Sequence, residues 1–374
     1  FEPSPPPRVA VIGAGIAGAS VVRALKAQGV RAMVFEGERP GAGGSGFPAA
    51  LVTPRLDAGD LGIAALHAQA LERAAHLYAS IPDAVTGHGV LQLPQAPRDA
   101  ARFEKIARQP IWNDDDMVVL DEGAASAAAG EATGQGGLLM KGAFALRPAA
   151  VLSYWLSDAE MRSERVMRLE RAYGRWRLIG ENDAVLGEVD AVVLAAGWGS
   201  AALLEGFDQT PRLSPVRGQA DWIDGDVTIH PMAWGGYAVP TGQGVLFGAT
   251  HDRGDTDTAP REDDSARNLA TLEARLPVLA KRIAAAGPVQ HRAAVRATTP
   301  DRLPVAGALD DGLYVLGGLG SRGFCVAPLL GEHIAALILD QPSPLPRDLA
   351  ARVSPRRSSV LADALASSSP TRAG

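Results

Sequence analysis

Near the start of the chain the hydrophobic positions fall in blocks. Residues 8–12 (RVAVI) form a short, nearly unbroken apolar run, the pattern of a strand buried on both faces. Residues 16–28 have the alanine-rich character of a helix that Gly29 stops, and residues 31–36 (RAMVFE) return to a strand. Together they predict a βαβ unit. Residues 60–80 predict one long helix with Asp60 placed to cap it, and an alanine-rich helix falls near 123–130. Residues 148–163 open on Pro148 and predict another helix. Strand-like stretches at 165–171, 174–179 and 184–189 lead into the apolar 191–196 (AVVLAA), which ends at Gly197-Trp198-Gly199. Alternating segments between 216 and 250, such as 220–223 and 245–249, predict an antiparallel sheet. Residues 264–286 predict a single helix, and the chain then returns to a strand at 313–316, a glycine loop and a helix at 327–339.

This order predicts an α/β fold, in which a Rossmann-like dinucleotide-binding domain is interleaved with an antiparallel-sheet substrate domain. Residues 8–85, 147–212 and 296–345 are expected in the first, and 86–146 and 213–295 in the second. Residues 1–7, rich in proline, and 358–374 are expected to be flexible tails.

Composition narrows the picture. The 374 residues have 47% hydrophobic content, enough for a large core. A formal charge of −6 excludes a generally basic, nucleic-acid-coating protein but leaves room for a local basic patch. The single cysteine, Cys325, excludes a disulfide framework, a zinc ribbon and an iron–sulfur cluster, and fits a reducing cytoplasm. The seven histidines show no metal-ligand spacing, so no metal is expected. The longest apolar run, residues 9–22, is too short and glycine-rich to span a membrane, and no cationic start marks a secretory signal.

The chemistry begins at Gly13-Ala14-Gly15-Ile16-Ala17-Gly18, a G-x-G-x-x-G placed after a strand and opening a helix. Gly13 permits the tight turn, Gly15 lets the backbone approach a pyrophosphate, and Gly18 allows close helix–strand packing. Glu36 ends the second strand 18 residues after Gly18, where an acid accepts hydrogen bonds from ribose hydroxyls. Two further glycine clusters favour FAD over NAD: residues 41–46, just past Glu36, and residues 317–323 between a late strand and a helix. Amides of the last loop are suited to face a flavin ring. The expected cofactor contacts are Gly13, Gly15, Ile16, Ala17 and Gly18 in the first loop, then Glu36, Gly37, Gly43, Gly44, Ser45, Ala49, Ala50 and Leu51. Val166, Ala195, Ala196, Gly197 and Trp198 follow, and Gly318, Gly320, Ser321, Arg322, Gly323 and Phe324 complete the set.

These pieces resemble the glycine oxidase and D-amino-acid oxidase superfamily. Within it the chain is most similar to the FAD-dependent oxidoreductase part of the tRNA 5-methylaminomethyl-2-thiouridine biosynthesis bifunctional (MnmC) family. GAGIAGAS at 13–20, the 43–60 segment ending PRLDAGD, PVRGQ at 215–219 and GATHDRGDTDT at 248–258 carry the likeness. RATTPDRLPVAG at 296–307 and the 313–339 segment extend it. Phe47 departs from the asparagine often found there, and Arg357 or Ser358 stands where members have a phenylalanine.

The resemblance implies oxidative removal of the carboxymethyl group from 5-carboxymethylaminomethyl-(2-thio)uridine at the tRNA wobble position, giving the 5-aminomethyl nucleoside. It also implies tRNA as a partner and a methyltransferase as a separate chain or excised domain. A flavin supplies the oxidation, and arginine is the suited clamp for the substrate carboxylate. Arg322 is the first candidate, then Arg296, Arg217 and Arg55, with Tyr237 placed to close the site. Some relatives attach flavin through a cysteine near the 296–299 segment; this chain has none there, so noncovalent FAD is expected. An acid-free stretch with Lys281, Arg282, Arg292 and Arg296 is the first candidate for tRNA contact, and Arg162, Arg165, Arg168 and Arg171 the second. Two other functions fit the same motifs: oxidation of a free amino acid such as glycine, sarcosine or a D-amino acid, and a flavin-fold protein that only binds.

Overall fold

The computed structural model describes residues 5–113, 115–207 and 212–357. Most of both expected tails, residues 1–4 and 358–374, lies outside them. The first strand, Val9–Ile12, is buried along its whole length because it lies inside a six-stranded sheet. Across that sheet the order is Val305–Asp310, Leu313–Gly317, Ala191–Leu194, Val9–Ile12, Ala32–Phe35, Glu160–Arg162. All neighbours run parallel except the first pair. Strands on opposite sides of Val9–Ile12 are reached by different crossovers, which opens a crevice at their carboxyl ends.

Helices Ile16–Ala27 and Gly323–Ile338 cover this sheet and pack closely, since a Cβ at Gly331 would meet Ser20 at 2.7 Å. The Leu61–Tyr78 helix lies beside them, capped by the Asp60 carboxylate accepting from the Ile63 amide at 3.1 Å. Glu332 ties the layer together by accepting from Arg73 Nε at 3.0 Å and ion-pairing with Arg23.

A second, ten-stranded sheet carries the long strands Val85–Gln92, Gly137–Leu146, Ser214–Asp224 and Gln290–Thr298. It is mainly antiparallel, with one parallel pairing between Met232–Ala233 and Val85–Gln92. Ala50–Val52 joins this sheet, and Gln290–Thr298 runs through residue 296. A three-stranded sheet of Arg168–Ala172, Arg175–Ile179 and Val185–Val189 stands apart.

Two expected helices differ from the pattern. The one opening at Pro148 ends at Leu156, and Glu160–Arg162 becomes the edge strand of the parallel sheet. The single helix expected over 264–286 is two, Glu262–Arg275 and Pro277–Ala286. Pro277 disfavours helical geometry at Leu276 and starts the second helix at its first position. No helix among the described residues is long and apolar enough to cross a membrane.

Candidate functional site

The carboxyl ends of Val9–Ile12, Ala32–Phe35, Ala191–Leu194 and Leu313–Gly317 open into one cavity of about 1290 Å³ that reaches the face of the larger sheet. Pockets for drug-sized ligands measure about 300–1,000 Å³, so this larger cavity has room for a dinucleotide and a substrate.

One wall is the first glycine loop. Gly13 adopts φ +106°, and a Cβ there would lie 2.6 Å from the Ala195 carbonyl oxygen, so only glycine makes this turn. Gly15 caps the Ile16–Ala27 helix and leaves its first-turn amides facing the cavity, with no acidic residue in that turn. Of the expected cofactor contacts, every one lines the cavity except Gly18. Gly18 sits under the turn, where a Cβ would strike the Gly13 carbonyl oxygen at 1.9 Å. The two Glu36 oxygens accept from the amides of Ala14 (3.0 Å) and Glu38 (3.1 Å).

Gly43 and Gly44 line the same wall with nothing within 4 Å of an added Cβ, and Ser45 Oγ accepts from the Ile16 amide at 3.0 Å. This second loop is held from the other sheet. Arg292 donates to the carbonyls of Gly41 (3.2 Å), Gly43 (3.1 Å), Ala42 and Gly46. Its guanidinium also lies 5.5 Å from the centre of the Phe47 ring. The third loop adopts φ +63° at Gly318 and +55° at Gly320, then starts the Gly323–Ile338 helix toward the cavity. Three backbone cradles along one elongated cavity fit an extended dinucleotide.

Arg322, Arg296 and Tyr237 line the far part of the cavity. Arg322 Nη1 donates to the Thr53 hydroxyl at 2.9 Å, and burial pulls its pKa below the ordinary value. Arg296 lies over Gly218, where a Cβ would meet Nη2 at 2.2 Å. Neither arginine has a carboxylate partner among the described residues. Burial raises the Tyr237 pKa, Arg296 opposing, so the phenol is neutral at physiological pH.

Arg217 is a correction. It is fully buried on the opposite face of its strand, ion-paired with Asp264 and donating to the carbonyls of Asp257 (2.6 Å) and Ala259 (2.7 Å). It holds the 250–260 segment in place and cannot reach a substrate. Arg55 is likewise outside the cavity lining, paired with Asp57 at 3.3 Å.

The acid-free stretch does not form one patch. Lys281 and Arg282 lie on the Pro277–Ala286 helix, Arg292 serves the glycine loop, and Arg296 faces the cavity. In the second cluster Arg162 pairs with Glu160, Arg165 with Glu38, Arg168 with Glu170 and Asp183, and Arg171 with Asp311. That is a solvated face.

Several lining residues escaped the sequence reading, among them Thr53, Trp234, His251 and His291. Trp234 Nε1 is buried without a hydrogen-bond partner among the described residues. Only its contact with Arg322 of the late loop marks Thr53, and that is a three-dimensional fact. Cys325 lies outside the lining, its thiol pushed up to about 12 by burial. Among the described residues no cluster of three or more His, Cys, Asp or Glu side chains offers a metal site.

Residues 8–337 match the family model described as DAO, FAD dependent oxidoreductase, and the chain belongs to that family. It is 51% identical over 361 residues to the tRNA 5-methylaminomethyl-2-thiouridine biosynthesis bifunctional protein MnmC of Caulobacter sp. (strain K31), covering 95% of this chain and 58% of that protein. The protein of the same name from Caulobacter vibrioides (strain ATCC 19089 / CIP 103742 / CB 15) is 48% identical, with coverage of 92% and 56%. The chain thus spans a little over half the length of these relatives.

Among solved structures, glycine oxidase from Geobacillus kaustophilus superposes with a TM-score of 0.77 at 22% identity, covering 91% of this chain and 96% of that one. Iminodiacetate oxidase from Chelativorans sp. BNC1 gives 0.77 at 22%, covering 93% and 99%. The fold is therefore that of glycine oxidase-like FAD enzymes.

Proposed function

We propose that this chain is the oxidoreductase that removes the carboxymethyl group from 5-carboxymethylaminomethyl-(2-thio)uridine at the tRNA wobble position. The observation that carries the reading is the pair Arg322 and Arg296, two guanidinium groups lining one cavity without a carboxylate partner among the described residues. An N-substituted glycine supplies the missing carboxylate. Glycine and iminodiacetate, in the names of two fold neighbours, carry the same carboxymethylamine unit. The names of the curated relatives supply the tRNA nucleoside that bears it.

The six-stranded sheet and its helices serve as the cofactor domain, and the ten-stranded sheet as the substrate domain. The amides at the Ile16 helix start, the 43–45 backbone and Glu36 would hold the dinucleotide, and the 318–323 loop the flavin. Bound FAD supplies the hydride acceptor. Arg322 and Arg296 fix the carboxylate, and the neutral Tyr237 hydroxyl donates to it or to the amine as the cavity closes out water. Oxidation of the carbon between amine and carboxylate removes two electrons and two protons, counting the one on nitrogen. Water then adds to the imine, releasing glyoxylate and the 5-aminomethyl nucleoside. Cys325, buried away from the lining, supports noncovalent FAD. A methyltransferase acting on the amine product is the expected partner, and the cytoplasm, where tRNA is modified, the expected location.

The test is product identity. Carboxymethylaminomethyl-containing tRNA is incubated with the FAD-loaded chain, digested to nucleosides and analysed by mass, with glyoxylate trapped in parallel. Stoichiometric aminomethyl nucleoside and glyoxylate support the reading; an unchanged nucleoside contradicts it.

A further inference from the structure

Val216 has two cross-strand partners, Arg253 on one side and Arg296 on the other. Directly opposed residues share a face of the sheet, so both arginines stand on the face that bounds the cavity. Arg217, one residue on, points the other way into its buried ion pair with Asp264. At about 4.8 Å per strand spacing the row spans roughly 10 Å from the site to the outside. Arg296 is its inner end and the exposed Arg253 its outer end. His251, two residues before Arg253, lines the cavity. Arg302 is also exposed, in the turn where its amide donates to the Thr299 carbonyl at 3.0 Å. That turn stands against the third glycine loop, since a Cβ at Gly318 would meet Thr299 Cγ2 at 2.9 Å, and burial together with the charges of Arg296, Arg253 and Arg302 disfavours the protonated form of His251.

The acids nearby are engaged elsewhere. Asp252 binds Arg267 at 2.9 Å, and Asp301 binds Arg357 at 2.7 Å. Asp255 and Asp257 both pair with Arg261, at 2.7 and 2.8 Å. Arg253 and Arg302 therefore keep their charge unpaired among the described residues, on a chain whose formal charge is −6.

We propose that Arg253 and Arg302 form a phosphate-binding track at the cavity mouth, which takes the single-stranded RNA backbone beside the nucleotide under oxidation. The proposal rests on the RNA reading given above and deepens it. A row longer than one phosphate, leading outward from the carboxylate-binding end, suits a polymer whose one modified nucleoside enters the cavity. Bound phosphates replace condensed counter-ions, so the contacts are salt-sensitive.

The experiment measures binding of a fluorescent tRNA anticodon stem-loop to the FAD-loaded chain across a salt series. The proteins compared are wild type, Arg253→Gln/Arg302→Gln, Arg253→Lys/Arg302→Lys and Arg31→Gln, the last exposed at the amino end of Ala32–Phe35, away from the cavity. The double glutamine variant is expected to weaken binding about tenfold or more at low salt. It should also lower the slope of log Kd against log salt by about 1.4, at ~0.7 per single-strand phosphate. The lysine pair should keep the wild-type slope, and Arg31→Gln should bind as wild type does. Unchanged affinity and slope in the glutamine pair would overturn the track while leaving RNA binding intact, and an equal loss in Arg31→Gln would reduce it to net charge. Failure of the wild-type chain to bind the stem-loop would overturn both this inference and the RNA reading.

Discussion

The Arg322 guanidinium donates to the Thr53 hydroxyl at 2.9 Å, and this neutral contact is the side-chain partner the described residues give it. A half-buried cation held by a neutral oxygen is oriented without being neutralised, which suits it to receive an anion. Arg322→Ala should retain FAD and raise the substrate KM by roughly 10- to 150-fold, the equivalent of about 1.5–3 kcal/mol for a charged hydrogen bond. Steady-state kinetics with flavin content measured in parallel check this; an unaltered KM would remove Arg322 from the site.

Arg217 predicts the opposite phenotype. Its removal leaves Asp264, which is 4% exposed at its side chain, with Arg267 as its remaining cation, and frees the Asp257 and Ala259 carbonyls. Arg217→Met should cost about 3 kcal/mol of stability, the low end of the range for breaking a buried pair, because Arg267 still pairs with Asp264. Thermal unfolding of the apoprotein checks this, and a midpoint equal to wild type would contradict the assignment.

Arg292 joins the two sheets by clasping the loop whose Ser45 meets the first helix amide. Arg292→Ala should raise the FAD Kd about 10- to 100-fold, since charged hydrogen bonds to several carbonyls are lost together. Flavin fluorescence on release from the protein measures it. Arg292→Lys should restore little, because an ammonium cannot reproduce the planar fork. Wild-type affinity in the alanine variant would show that the loop stands without the clasp.

These arginines show what was legible in the sequence. The βαβ unit, the glycine turn and the Asp60 cap were readable because periodicity and capping are local. Arginine roles were not, because they depend on what lies opposite in space. Arg217 and Arg296 sit on strands paired at adjacent register, Val216 to Arg296 and Arg217 to Val295, yet face opposite ways. The Arg292 partners are carbonyls about 250 residues away in the chain, which carry no side-chain signature. The single helix expected over 264–286 overlooks Pro277, where one helix ends and the next begins. Phe47 looked like an oddity and proves to be a surface for Arg292.

Two buried histidines set a pH dependence. Burial, with Arg322 and Arg55 assisting, holds the His67 pKa down to about 3, and burial alone holds His333 at about 4. The unfolded chain binds these protons near pH 6.5 while the native protein does not. Stability is therefore full above about pH 6.5 and falls as pH drops toward the folded values. Each group should cost about 2 kcal/mol at pH 5. Unfolding midpoints at pH 7 and 5 test this, and His67→Asn should show a shallower loss. An identical pH slope in that variant would rule His67 out.

The account's central claim is that the cavity oxidises a carboxymethylamine carried on RNA. Its most direct test is anaerobic mixing of the FAD-loaded chain with carboxymethylaminomethyl-containing tRNA, and separately with glycine, sarcosine and D-alanine, while flavin absorbance is recorded. Rapid bleaching by the tRNA, with little by the free amino acids, is the predicted result. Bleaching by the free amino acids alone would contradict it.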